Sequence, residues 1–388
     1  MVILGVLTLV ASAAGSVGDA GLASAALALS TAVSGPVIGR WTDRHGQRVP
    51  LLVLAPLNAT ALIGLVVAAG AGARLPVLAG LCVAVGATTV PVGSLARVRW
   101  LALTGGPRQT GAALSYESMA DETVFVLGPA LVGVAASLGT PELPVLIAAG
   151  LVLVFVTAFA LHPSAARPAR PGEVTGTSSP AAAAAGGHPG RPARTPSLGA
   201  VLTALAPALA GMASVGMFFG ASQTAVTAFA AAAGTPGRAG LIYAVMGVGS
   251  AVMALAVVAL PEVVSLRLRL VVSGAGMAAI TAAMTSAGST AALSVLVLAV
   301  GFLVGPALVT LFTVAGRIAP QGGTAVAMTA MGSANVVGVA AAAALAGSLA
   351  DLHGAAAGFA VAAVSAAGLV LAALAVRVPE RRLAVGPE

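Results

Sequence analysis

The sequence predicts an all-α polytopic membrane protein, with twelve transmembrane helices in two pseudo-symmetric six-helix bundles. Three observations predict it. The 388 residues are 59% hydrophobic and only 7% charged, against roughly 25% charged in a soluble domain, and the mean hydropathy is +1.05. Apolar runs recur along the whole chain at the length of a bilayer span, about 20 residues. A single low-complexity stretch, 163–197, divides these runs six and six.

Taken in order, the runs are 1–14, 20–41, 49–70, 75–97, 111–136 and 143–161, then 199–220 (with apolar residues continuing to 232), 238–260, 269–288, 290–315, 323–349 and 354–376. The first is short: fourteen residues reach only ~21 Å of a ~30 Å hydrocarbon core. Met1-Val2-Ile3-Leu4 carries no charge, unlike the basic start of a signal peptide. The sequence therefore reads as beginning inside its first span. Pro, Ala, Gly, Ser and Thr dominate 163–197 without apolar periodicity, the composition of a disordered linker. The expected organisation is a bundle over 1–162, a linker over 163–197, a second bundle over 198–378 and a tail over 379–388. Gly111-Ala112-Ala113-Leu114 aligns with Gly323-Thr324-Ala325-Val326 at an offset of 212, and Met119 and Val124 fall over Met331 and Val336. The fifth and eleventh spans are thus candidate equivalents.

The net charge of +7 comes from arginine, since the chain contains no lysine. In a soluble chain this balance would suggest nucleic acid; here the arginines occupy short loops, and topology explains them. Placing the 40–48 loop inside puts Arg40, Arg44, Arg48, Arg97, Arg99, Arg108, Arg167, Arg170, Arg191, Arg194, Arg267, Arg269, Arg317, Arg377, Arg381 and Arg382 inside, and leaves only Arg74 and Arg238 outside. The positive-inside rule then predicts both termini in the cytoplasm of an inner (plasma) membrane protein.

The loop itself, Gly39-Arg40-Trp41-Thr42-Asp43-Arg44-His45-Gly46-Gln47-Arg48, joins the second and third runs. Gly39 permits close helix approach, and Gly46 suits a tight turn. Asp43 does nothing for retention on the inside and needs a partner, either a nearby arginine or the positive N-terminal end of another helix. The spacing of Gly39, Asp43, Arg44, Gly46 and Arg48 resembles the signature loop of major facilitator superfamily transporters, with Trp41 in place of an aliphatic residue and Gln47 in place of a basic one. The resemblance implies two bundles working by alternating access, with this loop as a conformational lock. It also implies a central cavity lined by the first, fourth, seventh and tenth spans, the third, sixth, ninth and twelfth facing lipid.

The fifth run holds the densest acid cluster, Glu117, Asp121 and Glu122. Glu117 and Asp121 share a helical face, while Glu122 points about 100° away. Carboxylates inside a bilayer face a cavity, a partner charge or another helix, and apolar surroundings favour their protonated form. All three are proton-coupling candidates, the alternative for Glu117 being a structural cluster with Arg97, Arg99 or Arg108. No arginine is expected at the depth of Asp121 and Glu122. Gly128-Pro129, followed by Gly133, suits a helix kink; it also resembles part of the motif of drug/proton antiporters in the same superfamily, which implies efflux.

Polar residues inside otherwise apolar runs are the substrate-cavity candidates: Gln223 first, then Thr88, Thr89, Thr310, Thr313 and Asn335. Each threonine has an alternative use in bonding its own helix backbone. The four histidines are scattered and Cys82 is the only cysteine, so neither a metal site nor a cofactor is expected. Without a lysine no phosphate-binding loop of the usual kind can form. The reading is a non-enzymatic secondary transporter, monomeric in membrane lipid, moving a small molecule with protons. Alternatives are an uncoupled facilitator or metabolite exporter, and a non-transporting receptor or scaffold of the same fold.

Overall fold

A chain in lipid must satisfy every backbone polar group internally, and the Ala-, Leu- and Val-rich runs do so as helices. The computed structural model describes residues 2–14, 17–138, 140–166, 196–235, 239–257 and 264–376, and no strand occurs among them. The first half comprises α1 (Val2–Ala14), α2 (Val17–His45), α3 (Arg48–Gly70), α4 (Leu75–Thr88), α5 (Val92–Leu103), α6 (Pro107–Leu138), α7 (Leu143–Leu151) and α8 (Thr157–Leu161). The second comprises α9 (Leu198–Ala232), α10 (Ala239–Ala256), α11 (Leu266–Met284), α12 (Thr290–Ile318), α13 (Thr324–His353) and α14 (Ala355–Ala375). Most of the linker lies outside the described residues.

Among the described residues ten helices are long and apolar enough to cross a membrane, counting α4–α5 and α7–α8 as one each. Adding α1, which has 13 residues, and the acid-bearing α6 gives the twelve positions that the sequence predicts. One boundary differs from expectation. The fourth span breaks at Thr89-Val90-Pro91 and continues as α5 to Leu103, because Pro91 has no N–H to carry the helix through. Arg97 and Arg99 consequently sit within a helix rather than at its end. The seventh span runs on to Ala232 as one helix of 35 residues.

The bundles are assembled by close helix approach rather than large side chains, as expected where lipid supplies no hydrophobic drive. A Cβ on Gly338 would collide with the Ala213 carbonyl, and one on Gly216 with the Asn335 carbonyl, so α9 and α13 pack backbone to backbone. Gly301 and Gly305 bring α12 equally close to α10. In the first half α2 and α4 form the corresponding pair, tied by Ser30 Oγ to the Val83 carbonyl (2.9 Å) and Ser34 Oγ to the Gly86 carbonyl (3.0 Å). Across the two halves α13 packs on α2, and α6 packs on α10. This crossed pairing of the fifth and eleventh spans with the eighth and second is the pseudo-symmetry of the fold.

Candidate functional site: the arginine-rich junction of the two bundles

The bundles meet at the end that carries the 40–48 loop. Gly46, at φ +74°, makes the turn from α2 into α3, a conformation open to glycine without strain. One turn earlier, both Asp43 carboxylate oxygens accept bonds from the start of α13: Oδ1 from the Ala325 N–H (2.9 Å) and Oδ2 from the Val326 N–H (3.0 Å). The N-cap of α13 is Gly323, which has no side chain to offer. Asp43 supplies the missing cap from the other bundle, where the helix dipole favours a negative charge. Of the two partners open to Asp43 in sequence, the helix terminus is the one observed. Gly39 makes the contact possible, since a Cβ there would lie 2.8 Å from the Ala325 carbonyl oxygen and against the Thr329 hydroxyl. Arg44 and Arg48 are exposed.

Gln47 points inward. Its amide nitrogen donates to the Leu95 carbonyl (3.1 Å), and its oxygen accepts from Arg99 Nε (2.7 Å). Arg99 is buried, donates to Ser164 Oγ (3.2 Å) and lies 3.4 Å from the centroid of the Phe159 ring. The residue standing where the signature loop has a base thus accepts from a base on a neighbouring helix.

A second arginine lies further along the junction. Arg97 of α5 forms an ion pair with Asp121 of α6, and its guanidinium carbon stands 3.8 Å from the centroid of the Phe312 ring on α12. This corrects the expectation that no arginine reaches the depth of Asp121. Hydropathy ended the fourth span at residue 97, whereas α5 runs to Leu103 beside α6 and carries Arg97 inward. The two partners differ in exposure: the Arg97 side chain is 3% exposed and that of Asp121 50%. Asp121 shares a helical face with Leu114, Glu117, Ser118, Gly128 and Val132, all buried. Its exposure is therefore to space between helices rather than to the outer face marked by exposed Tyr116, Val124, Leu127 and Leu131.

Glu117 is buried and accepts a bond from the Trp100 indole N–H (3.1 Å). Gly93 leaves room for the group, since a Cβ there would lie 3.1 Å from Asp121 and 3.6 Å from Glu117. Arg97 Nε has no partner among the described residues. Glu122 and Pro129 lie on α6, and their side chains are outside those described.

The other candidates scatter. Thr88 and Thr89 bond the Ala84 and Val85 carbonyls and receive the Asn58 amide, and Thr313 bonds the Val309 carbonyl. Their hydroxyls serve their own helices. Gln223 is exposed and lies ~38 Å along α9 from Leu198, so the cost of burying an unpaired amide does not apply to it. Asn335 is half-buried between α13 and α9, with its amide 3.8 Å from Met212 Sδ. Thr310 is buried with its hydroxyl unpartnered among the described residues. Sequence reasoning missed Asn58, whose place in an apolar run was its only signal, and the pairing of Arg97 with Phe312.

The fold is shared widely among solved transporters. The human organic anion transporter MFSD10 (TETRAN) superposes with a TM-score of 0.68 at 18% identity, over 97% of this chain and 89% of its own. The Escherichia coli fucose:proton symporter FucP gives 0.62 at 15% identity over 97% of both chains. A bacterial homologue of the iron transporter ferroportin, in its outward-facing state, gives 0.63 at 17% over 96% of both. No curated protein matches the chain. Residues 1–340 match the profile of the Major Facilitator Superfamily, so the crossed bundles, the Asp43 loop and the buried Arg97 belong to a member of that superfamily.

Proposed function

We propose that this chain is a proton-coupled secondary transporter that exports a small solute by alternating access. In this reading the arginine-rich end faces the cytoplasm of an inner-membrane protein, and bundles 1–162 and 198–378 rock about linker 163–197. The observation that carries it is Arg97, which is held at once by an acid of its own bundle and by an aromatic ring of the other. While Asp121 is ionised, Arg97 has a counter-charge and the junction at Phe312 is favoured. A proton reaching half-exposed Asp121 removes that counter-charge and leaves the buried cation with Glu117 as its one remaining acid neighbour among the described residues, which is unfavourable. The bundles then gain by parting at the arginine-rich end, where water can solvate the guanidinium. Glu117 and Glu122 are the neighbouring acids that would share the proton. The Asp43 contact with α13 is the lock released in the same step, with Gly39, Arg44, Gly46 and Arg48 completing its loop. Thr310, with its unpartnered hydroxyl, and Asn335 supply polar groups for substrate. The export direction rests on the Gly128-Pro129 pattern with Gly133.

The ion pair also favours a second reading, in which Asp121 only neutralises Arg97 and transport is uncoupled. Reconstituted vesicles separate the two, once a thermal-shift screen has supplied a bound compound. A pH gradient should drive uphill accumulation by the native chain. Asp121→Asn should lose that accumulation while retaining exchange down a gradient, since the amide keeps the shape and loses the titration. Uphill transport that survives Asp121→Asn and Glu122→Gln together would reject coupling at this site.

A further inference from the structure

An apolar groove of about 400 Å³ runs along the junction between α2 of one bundle and α9 and α13 of the other. Pro36, Leu202, Leu209, Ala334 and Val337 line it, and Ser333 is its one hydroxyl. The other contacts of α13 fix where the groove opens. Gly332 faces Ser94 of α5, at 3.3 Å from a Cβ built on it, Thr329 faces Gly39, and Asn335 and Gly338 face α9. Ala334 and Val337 lie on the side of the helix away from Gly332. The groove therefore opens on the flank away from the inner junction, where Val337 is 49% exposed. Its depth is that of one leaflet: Ala330 is ~9 Å and Val337 ~20 Å from the start of α13. At that depth the surrounding solvent is acyl chain.

The charge at the mouth of the groove selects the headgroup. Arg40 follows Pro36 by four residues and so lies on the same face of α2, one turn nearer the arginine-rich end. Its Nη1 donates to the Pro196 carbonyl (3.2 Å) just before α9. It is half-buried, and no carboxylate among the described residues pairs with it. A guanidinium so placed matches a phosphodiester, which accepts its donors in pairs. A zwitterionic headgroup would bring a cation of its own beside Arg40.

We propose that this groove binds one acyl chain of an anionic phospholipid, with the headgroup phosphate on Arg40. Its walls come from both bundles, so the lipid binds the conformation in which they meet and shifts the population toward it. The proposal does not depend on proton coupling.

The test is native mass spectrometry of the full-length chain in detergent, titrated with dioleoyl phosphatidylglycerol, dioleoyl phosphatidylethanolamine, dioleoylglycerol or inorganic phosphate. Phosphatidylglycerol should be retained over the other two lipids, and inorganic phosphate should not displace it. Arg40→Gln should weaken its binding about five- to ten-fold, Arg40→Lys, which keeps the charge and loses the paired donors, should recover only part of it, and Arg108→Gln, a loss of equal charge at the same end, should leave it unchanged. Ala210→Phe, on the exposed rim of the groove, should weaken both phospholipids. Equal retention of dioleoylglycerol would refute headgroup recognition, and displacement by phosphate would identify a free-anion site instead. Equal loss in Arg108→Gln would reduce the effect to diffuse charge. The competition among lipids on the native chain decides the question even if a variant fails to fold.

Discussion

At the scale of single residues, the junction depends on two acids that face different problems. Asp43 satisfies two N–H groups at once. Asn in its place retains one acceptor oxygen and loses the charge, leaving an amide of α13 unpaired at about 1–3 kcal/mol. Asp43→Asn should therefore reach the membrane in normal amount and transport poorly, as paired expression and solute-exchange assays would show; native transport in the variant would remove the lock. Asp121 is half-exposed while its partner is sealed in, so the pair should respond asymmetrically to truncation. Asp121→Ala strands a buried cation, a loss of about 3–5 kcal/mol, whereas Arg97→Gln leaves a carboxylate that is already half-exposed. Thermal melting should rank Asp121→Ala below Arg97→Gln, with the double variant above Asp121→Ala alone. The reverse order would mean that Arg97 is not the group needing compensation. The sequence showed both acids as anomalies and narrowed the partners of Asp43 to two. It did not reveal Arg97 as the partner of Asp121, because pairing across helices depends on their rotation and depth, which hydropathy does not encode.

At the scale of helices, small residues set the distances. Gly338 has the Ala213 backbone against the position a Cβ would take, whereas Gly111, within α6, has open space there. Gly338→Leu should force α9 and α13 apart and lower the melting temperature sharply. Gly111→Ala should be neutral, or stabilising by about 0.5–1 kcal/mol through helix propensity. Equal effects at the two positions would argue that backbone contact does not limit the packing. Span order and number were legible because a bilayer imposes one length on every crossing. Ends were less legible where the helix outruns the apolar stretch, as α5 does past Arg97. That misplaced end made Arg97 look superficial, whereas Gln223 was misjudged by the rotation of α9, which leaves its side chain exposed.

At the scale of the whole molecule, the contacts between bundles gather at one end: Asp43 with Ala325 and Val326, Gly35 with Ser333, Leu101 with Gly316, and Leu114 with the Ala254–Val257–Val309 cluster. If Asp121 governs the closure, acid should open that end. Spin labels on exposed positions 48 and 321, in a Cys82→Ser background, would report it. The distance between them should be short at alkaline pH and lengthen on acidification in the native chain, and should stay constant with pH in Asp121→Asn. A distance indifferent to pH in the native chain would exclude coupling through the junction.

The cap that Asp43 provides has one more consequence. Because Gly323 cannot cap its own helix, the first turn of α13 is complete only while the two bundles touch. Each cycle would then fray and reseal the same peptide groups, so the amides of Ala325 and Val326 should exchange with deuterium in proportion to the time the molecule spends open. Two backbone hydrogens would serve as a built-in gauge of the open state, readable without knowing what is carried.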